Sequence, residues 1–179
     1  SAIALIGASA DASRLTSRPE RVLRRHGYAG QVFPIHPACG RIAGQRVYRS
    51  LGAVPAAVEH AYVMQPAIAV PQAIEECAAA GVTVVTILSA GFAETGARGR
   101  RRQDAIVATA RAAGVRLIGP NCLGLADVPG RFVLSANAVF EHEDLRPGGL
   151  GLISQSGSML GGIVTRAQER GLGFSRVVS

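Results

Sequence analysis

Apolar residues gather along this chain in short runs, separated by longer stretches where they recur at helical spacing. Ala2–Ile6 is uniformly apolar and ends at Gly7, which predicts a buried strand. Ser17-Arg18-Pro19-Glu20 then carries the signals of a helix start: Ser17 as N-cap, Pro19 in the first turn, Glu20 at the capping-box position. That helix is expected to run to about His26 and to stop at Gly27. Gln31–Ile35 predicts the next strand; Pro34 within it marks a strand end or an edge, and His36-Pro37 ends the run. The alternation continues with strand Ala61–Met64 and a helix from about Val70 to Ala80 before Gly81. Strand Thr83–Leu88 follows, then "SAGFAETG", a helix from about Gly99 to Ala113, and a short strand Arg116–Ile118 ended by "GPNCLG". Strands alternating with such helices predict βαβ units and, with right-handed crossovers, an α/β fold built on a doubly wound parallel sheet.

From Asp127 to Gly149 the periodicity weakens. A Pro-Gly pair, an acidic patch (Glu141, Glu143, Asp144) and "RPGG" predict a connecting segment, 127–148, between a first domain at 1–126 and a second at 149–179. The second begins with strand Leu150–Ile153, turn "SQSG", a helix of about Met159 to Glu169, Gly171 as stop, and strand Arg176–Val178. One βαβ unit does not bury its own faces, so continuation past Ser179, or completion by a partner chain, is expected.

Composition narrows the classes. At 179 residues the chain holds one ordinary domain and part of another. With 48% apolar and 17% charged residues it reads as a well-buried soluble protein, not a disordered one. No apolar run approaches the roughly 18 residues of a membrane span, and no signal segment opens the chain, so a cytoplasmic address is expected, with no membrane partner. All 19 basic residues are arginine, which excludes a Walker-type phosphate lysine and a Schiff-base lysine. The densest cluster, Arg98, Arg100, Arg101 and Arg102, opens a predicted helix and reads as a solvated face. Aromatics at 4% leave no stacking platform for nucleic acid, so the net charge of +7 suits anionic small ligands instead. Cys39, Cys77 and Cys122 fit neither a disulfide framework nor a zinc pattern; no metal is expected.

In an open parallel sheet, ligands bind outside the carboxyl ends of the strands. Those ends read Gly7-Ala8-Ser9, His36-Pro37, Gln65-Pro66-Ala67, Ser89-Ala90-Gly91-Phe92, Gly119-Pro120-Asn121-Cys122 and Ser154-Gln155-Ser156-Gly157. Each is small, glycine- or proline-bearing and nearly free of acids and general bases. Small residues let main-chain N–H groups approach a ligand, and helix N-termini favour anions. Tight turns chosen for packing would look similar piece by piece; the whole set describes a cradle for a long phosphorylated ligand. A dinucleotide fingerprint would place glycines where Gly7, Ser9 and Ala12 stand, and an acid at the end of the second strand, where there is none. Both departures count against NAD. Cys122 has no neighbouring base and reads as a buried thiol. Glu94 can accept a ligand hydroxyl or cap its loop; Glu75 and Glu76 fall on the solvent side of their helix. His26 ends a helix, where a cation is favoured, while His60 and His142 read as surface or loop residues.

In this order, "IALIGAS", "VFPIHP", "VYRSLGAVP", "IEECAAAGV", "ILSAGFAETG", "LIGPNCLG" and "LISQSGSMLGG" resemble the CoA-binding half of ADP-forming acyl-CoA synthetases, the acetate–CoA ligase family. These are relatives of the succinyl-CoA synthetase α subunit, and the same domains occur in some protein acetyltransferases. The resemblance covers nearly the whole chain. It implies a Rossmann-like CoA-binding domain to about Leu125, followed by the start of a flavodoxin-like ligase domain. It places Gly7, Ala8 and Ser9 at the CoA phosphates with Arg14 as a helper. His36-Pro37 stands at the family's "NP" element near the adenosine end. Gln65-Pro66-Ala67 takes the place of "VPA" along the pantetheine arm, with Ser89, Ala90, Gly91 and Phe92 flanking the same arm and Asn121 near the thiol. Ser156, Gly157 and Ser158 match the helix start that receives a phosphate or phosphohistidine. His36 and Gln65 depart from the family's residues.

The family reaction joins a carboxylic acid to CoA with ATP, through an acyl phosphate and a phosphohistidine, and releases ADP and phosphate. None of His26, His36, His60 or His142 matches the histidine motif, so that residue is expected beyond Ser179 and no catalytic residue within the chain. ATP/ADP with Mg is expected on a missing ATP-grasp domain or subunit, and the assembly is expected to be an oligomer acting on a small carboxylic acid. The same residues leave two other readings: a CoA- or nucleotide-sensing regulatory module of a multidomain acetyltransferase, and an NAD(P)-dependent oxidoreductase. A β-branched residue in place of Gly91 is expected to fill the ligand's path while leaving the fold near intact.

Overall fold

The computed structural model describes residues 2–38, 40–142 and 144–179; Cys39 and Glu143, both named above, lie outside the described residues. In chain order the elements are β1 (Ala2–Ile6), α1 (Arg18–Arg25), β2 (Gln31–Ile35), β3 (Arg41–Ile42), β4 (Gln45–Arg46), β5 (His60–Val63), α2 (Val70–Ala79) and β6 (Val84–Ile87). They continue with α3 (Ala97–Ala112), β7 (Arg116–Ile118), β8 (Gly124–Asp127), β9 (Phe132–Ser135), α4 (Val139–His142), β10 (Pro147–Ile153), α5 (Gly157–Glu169) and β11 (Phe174–Val178). Two compact units result, one of Ser1–Asp11 with Gly30–Cys122, the other of Ala12–Ala29 with Leu123–Ser179.

The first unit is a five-stranded sheet in the order β2-β1-β5-β6-β7, every pair parallel. Alternate strand residues such as Ala4, Ile6, Val63 and Ile87 pack with Ile74 and Cys77 of α2 and Ile106 of α3. The intervening Ile3, Leu5, Tyr62 and Thr86 are fully buried too, so both faces are covered, as a parallel sheet requires. That is why β1 reads as an unbroken apolar run. Pro34 lies on the outermost full strand, as its missing N–H demands. Beyond it Tyr48 makes a single parallel bridge to Ile35, its N–H donating to the Pro34 carbonyl at 3.0 Å and its carbonyl accepting from His36 N–H at 3.0 Å. Carbonyl and nitrogen of one strand residue face the same side, so Pro34 turns its nitrogen away from β1 and costs no ladder bond. Counting Tyr48 as a third strand reduced to one residue, the sheet has the 3-2-1-4-5-6 order of a doubly wound Rossmann fold.

The second unit carries a mixed four-stranded sheet in the order β10-β11-β8-β9, with β10–β11 parallel and the other pairs antiparallel. Its core joins Ala126, Val133 and Val177 of the sheet to Val22 of α1, Phe140 of α4, and Leu160 and Val164 of α5. The helix expected simply to cross between the first two strands therefore has its core partners here. The stretch 127–148, where the periodicity weakens, contains β9 and α4, with β8 just ahead of it. Four-residue strands are too short to show a period, and β9 is buried at three consecutive positions.

Two local expectations change. Ser17 occupies the N-cap position of α1, yet no capping box forms: its hydroxyl donates back to the Arg14 carbonyl at 2.7 Å, and Glu20 pairs with Arg24 at 2.6 Å. A preceding 3-10 turn at Leu15–Ser17 already engages the N-terminal backbone. His60 is not a loop residue; it opens β5, half-buried, with Nε2 2.8 Å from Thr86 Oγ1. Burial lowers its pKa to about 4, so the ring is neutral at physiological pH.

Glu141 ties α4 to α1. Its carboxylate accepts from Arg18 Nε and from Arg21 Nη2, the latter at 2.6 Å. Burial works to raise its pKa, but the hydrogen bonds from Arg21 and Arg18 outweigh it and hold the carboxyl below its usual range. A lowered carboxylate pKa contributes stability above the unfolded-state value, and that contribution is lost as pH falls through the folded one. Glu141→Gln should therefore cost about 1–3 kcal/mol at neutral pH, because two partly buried guanidinium groups lose their charged acceptor. Thermal melts should show the gap to wild type closing as the pH drops below the carboxylate range.

Candidate ligand-binding rim

All five strands of the first sheet run the same way, so their carboxyl ends share one rim. Across it, in spatial order, stand His36-Pro37, Gly7-Ala8-Ser9, Gln65-Pro66-Ala67, Ser89 to Phe92, and Gly119 to Asn121. Neighbouring bends are hydrogen-bonded together. Gly7 N–H donates to the Ile35 carbonyl at 2.9 Å, Ser89 Oγ to the Gln65 carbonyl, and Asn121 N–H to the Ser89 carbonyl at 3.0 Å. The strand order reverses between β1 and β5, where an open α/β sheet has its ligand crevice. Gly7 sits there with φ +86°, and a Cβ on it would lie 3.0 Å from Gln65 Cγ and 3.2 Å from the Met64 carbonyl carbon. The left-handed backbone of this turn calls for glycine, and a Cβ would also crowd the end of β5.

Several main-chain donors on this rim are free. Among the described residues, the N–H groups of Ala8 and Ser9 on the first bend, and of Ser89 and Ala90 on the fourth, have no hydrogen-bond partner. Such groups beside glycine-bearing turns suit phosphate or carbonyl oxygens. His36 is partly exposed, and its Nδ1 accepts from Ala38 N–H at 3.1 Å. Asn121 is exposed at the far end of the rim, in a left-handed backbone conformation with φ +56°.

At the fourth bend one of the two readings of Glu94 holds, and two expectations change. Glu94 caps its loop: Oε1 accepts from the N–H groups of Gly91 and Phe92, the second at 3.1 Å. Those bonds, Gly91's first, hold its carboxyl below the usual range. Phe92 turns its side chain into the core, fully buried, and its carbonyl accepts from Thr95, so it offers the rim neither ring nor free N–H. Gly91 has φ +103°, and a Cβ there would stand 3.0 Å from Ala67 Cβ. A valine at 91 would strain the bend itself, so the expected selective block of the ligand's path does not follow.

Arg102, one of the arginines read as a solvated cluster, donates from Nη1 to the Gly91 carbonyl, and Gln103 accepts from Ala93 N–H at 3.3 Å. Arg98, Arg100 and Arg101 are exposed on α3. Neither Arg102 nor Gln103 carried a local sequence signal, because each acts on a loop about ten positions away. The remaining nucleophile candidates are quiet. Cys122 is buried, and Cys77 is buried with its thiol pushed up to about 12 by burial and by Glu76. Among the described residues no His, Cys, Asp and Glu cluster could hold a metal ion, and no helix is long and apolar enough to cross a membrane.

The second unit holds the other candidates. Ser156 caps the thirteen-residue α5, its Oγ accepting from Met159 N–H at 3.3 Å. Gly157 packs so tightly that a Cβ would lie 2.1 Å from Leu123 Cδ1, and its carbonyl accepts from Asn137 Nδ2 at 2.7 Å. Ser156 and Ser158 are exposed at this helix start. Arg14 is exposed just before the 3-10 turn that leads into α1.

The chain is 38% identical over 181 residues to the α subunit of an ADP-forming acetate–CoA ligase of Pyrococcus furiosus, covering 99% of this chain and 38% of the relative. It is 33% identical over 177 residues to an ADP-forming acetate–CoA ligase of Archaeoglobus fulgidus, covering 99% of this chain and 25% of that protein. Its structure matches a dinucleotide forming acetyl-coenzyme A synthetase of Ca. Korarchaeum cryptofilum, solved with phosphate and ADP, with a TM-score of 0.92 and 31% identity over the whole chain and 37% of the other. The chain thus spans less than two fifths of the length of each of these proteins. Residues 1–127 match the family described as the CoA binding domain, and the chain belongs to that family.

Proposed function

We propose that this chain is the CoA-binding portion of an ADP-forming acid–CoA ligase that makes an acyl-CoA from a carboxylate, ATP and CoA. The observation that carries the reading is the rim: hydrogen-bonded bends whose Ala8, Ser9, Ser89 and Ala90 N–H groups have no partner among the described residues, and no acid at the end of β2. An NAD site would need that acid for the ribose hydroxyls. The relatives support the same reading, since those compared above are ADP-forming acetate–CoA ligases and another is a 4-hydroxybutyrate–CoA ligase.

In this reading Ala8 and Ser9 donate to the CoA phosphates beside Gly7. His36 and Pro37 meet the adenosine end. Gln65, Pro66 and Ala67 line the pantetheine arm opposite Ser89, Ala90 and Gly91, and Asn121 stands at the thiol end. CoA supplies the nucleophilic sulfur; the chain's own residues bind and orient it. The capped start of α5, with Ser156, Gly157 and Ser158, receives a phosphate or phosphohistidine. The CoA-binding domain begins the chain and the incomplete ligase domain occupies its end from 149; the segment 127–148, expected to connect them, carries β9 and α4 in the sheet and core of the second unit. The phosphohistidine, the ATP-grasp domain with ATP and Mg, and the oligomer's other parts lie outside this chain. A cytoplasmic address belongs to the same reading.

Calorimetric titration tests it: the chain should bind CoA, and preferential binding of NADP would remove the assignment. Ser9→Asp should weaken CoA binding about tenfold or more while leaving the melting temperature near wild type, because a carboxylate would face the phosphates from an exposed turn. Equal affinity in that variant would move the phosphates elsewhere.

A further inference from the structure

The fourth bend is gripped on both sides of one residue. Gly91 gives its N–H to Glu94 and receives on its carbonyl a hydrogen bond from Arg102 Nη1. The next two N–H groups are also taken, Phe92's by Glu94 at 3.1 Å and Ala93's by Gln103 at 3.3 Å. Arg102 and Gln103 belong to α3, and that helix is pressed against the bend: a Cβ on Gly99 would lie 1.8 Å from the Phe92 carbonyl oxygen. The result divides the bend's donors. Positions 91 to 93 are satisfied internally, whereas the N–H groups of Ser89 and Ala90 have no partner among the described residues.

We propose that Glu94 and Arg102 are positioning residues, which lock the fourth bend so that the Ser89 and Ala90 N–H groups, and not those of Gly91 and Phe92, serve the ligand. The inference rests on the CoA reading above. Without the Glu94 carboxylate, two N–H groups would be released and the Gly91 turn would be held from one side only. The loop would then sample conformations in which the free donors no longer align, and binding would have to reorder it.

Hydrogen exchange and CoA titration of Glu94→Ala, Glu94→Gln and Arg102→Met separate the outcomes. In Glu94→Ala the Gly91 and Phe92 amides should exchange faster, and CoA affinity should fall about tenfold. Glu94→Gln should recover part of both, since its amide oxygen still accepts. Arg102→Met should weaken binding as well, and Glu75→Ala, on the exposed side of α2, should change neither readout. Faster exchange with wild-type affinity would overturn the positioning role, as would unchanged exchange in Glu94→Ala. If the wild-type chain binds CoA and the variants match it, only this proposal falls; if the wild-type chain binds none, the CoA reading falls with it.

Discussion

Parallel pairing of five strands is the constraint from which the rest follows. Because every strand of the first sheet points the same way, whatever ends a strand is delivered to the same rim, and the hydrogen bonds between bends keep it there. Between β1 and β5 Gly7 has a left-handed backbone, and a Cβ there would crowd Gln65 and the Met64 main chain. Side-chain-poor turns are thus required twice at this place, once by packing and once by any ligand that must approach the main chain. The two requirements coincide, which is why the turn residues alone do not separate them. Among the described residues the N–H groups of Ala8 and Ser9 have no hydrogen-bond partner, and it is on these donors that the proposed CoA reading draws.

Arginine serves several purposes in a chain with no lysine. Arg18 and Arg21 clasp Glu141 in the second unit, Arg24 pairs with Glu20, and Arg176 with Asp127. Arg102 instead caps a carbonyl of the rim. A planar guanidinium presents several fixed donors and so can satisfy a carbonyl or carboxylate at a defined angle. The positive net charge is consequently spread over structural pairs and exposed faces, without an accompanying aromatic surface.

The second unit has an open side. β10 is an edge strand exposed along most of its length, with Ile153 85% exposed, and on α5 Met159 is 61% exposed. An unpaired edge beside exposed apolar side chains favours further strands or a partner.

The alternating β and α pattern, the parallel sheet, the edge position of Pro34 and the bends at the strand ends were all legible in the sequence, because each rests on local periodicity or on backbone rules for glycine and proline. The ordered string of motifs carried the family. Other features depend on residues far apart in the chain and leave no local trace. Helix α1 has its core partners more than a hundred positions away, in β8 and β9 and in α4 and α5. Tyr48 contributes a third strand only through one bridge, Phe92 is an anchor in the core, and Glu94 and Arg102 hydrogen-bond to the two sides of Gly91. Sequence alone determined which residues stand at the ends of the strands. Only the tertiary structure decided which of their N–H groups are left for a ligand, since that depends on every acceptor the fold brings within reach.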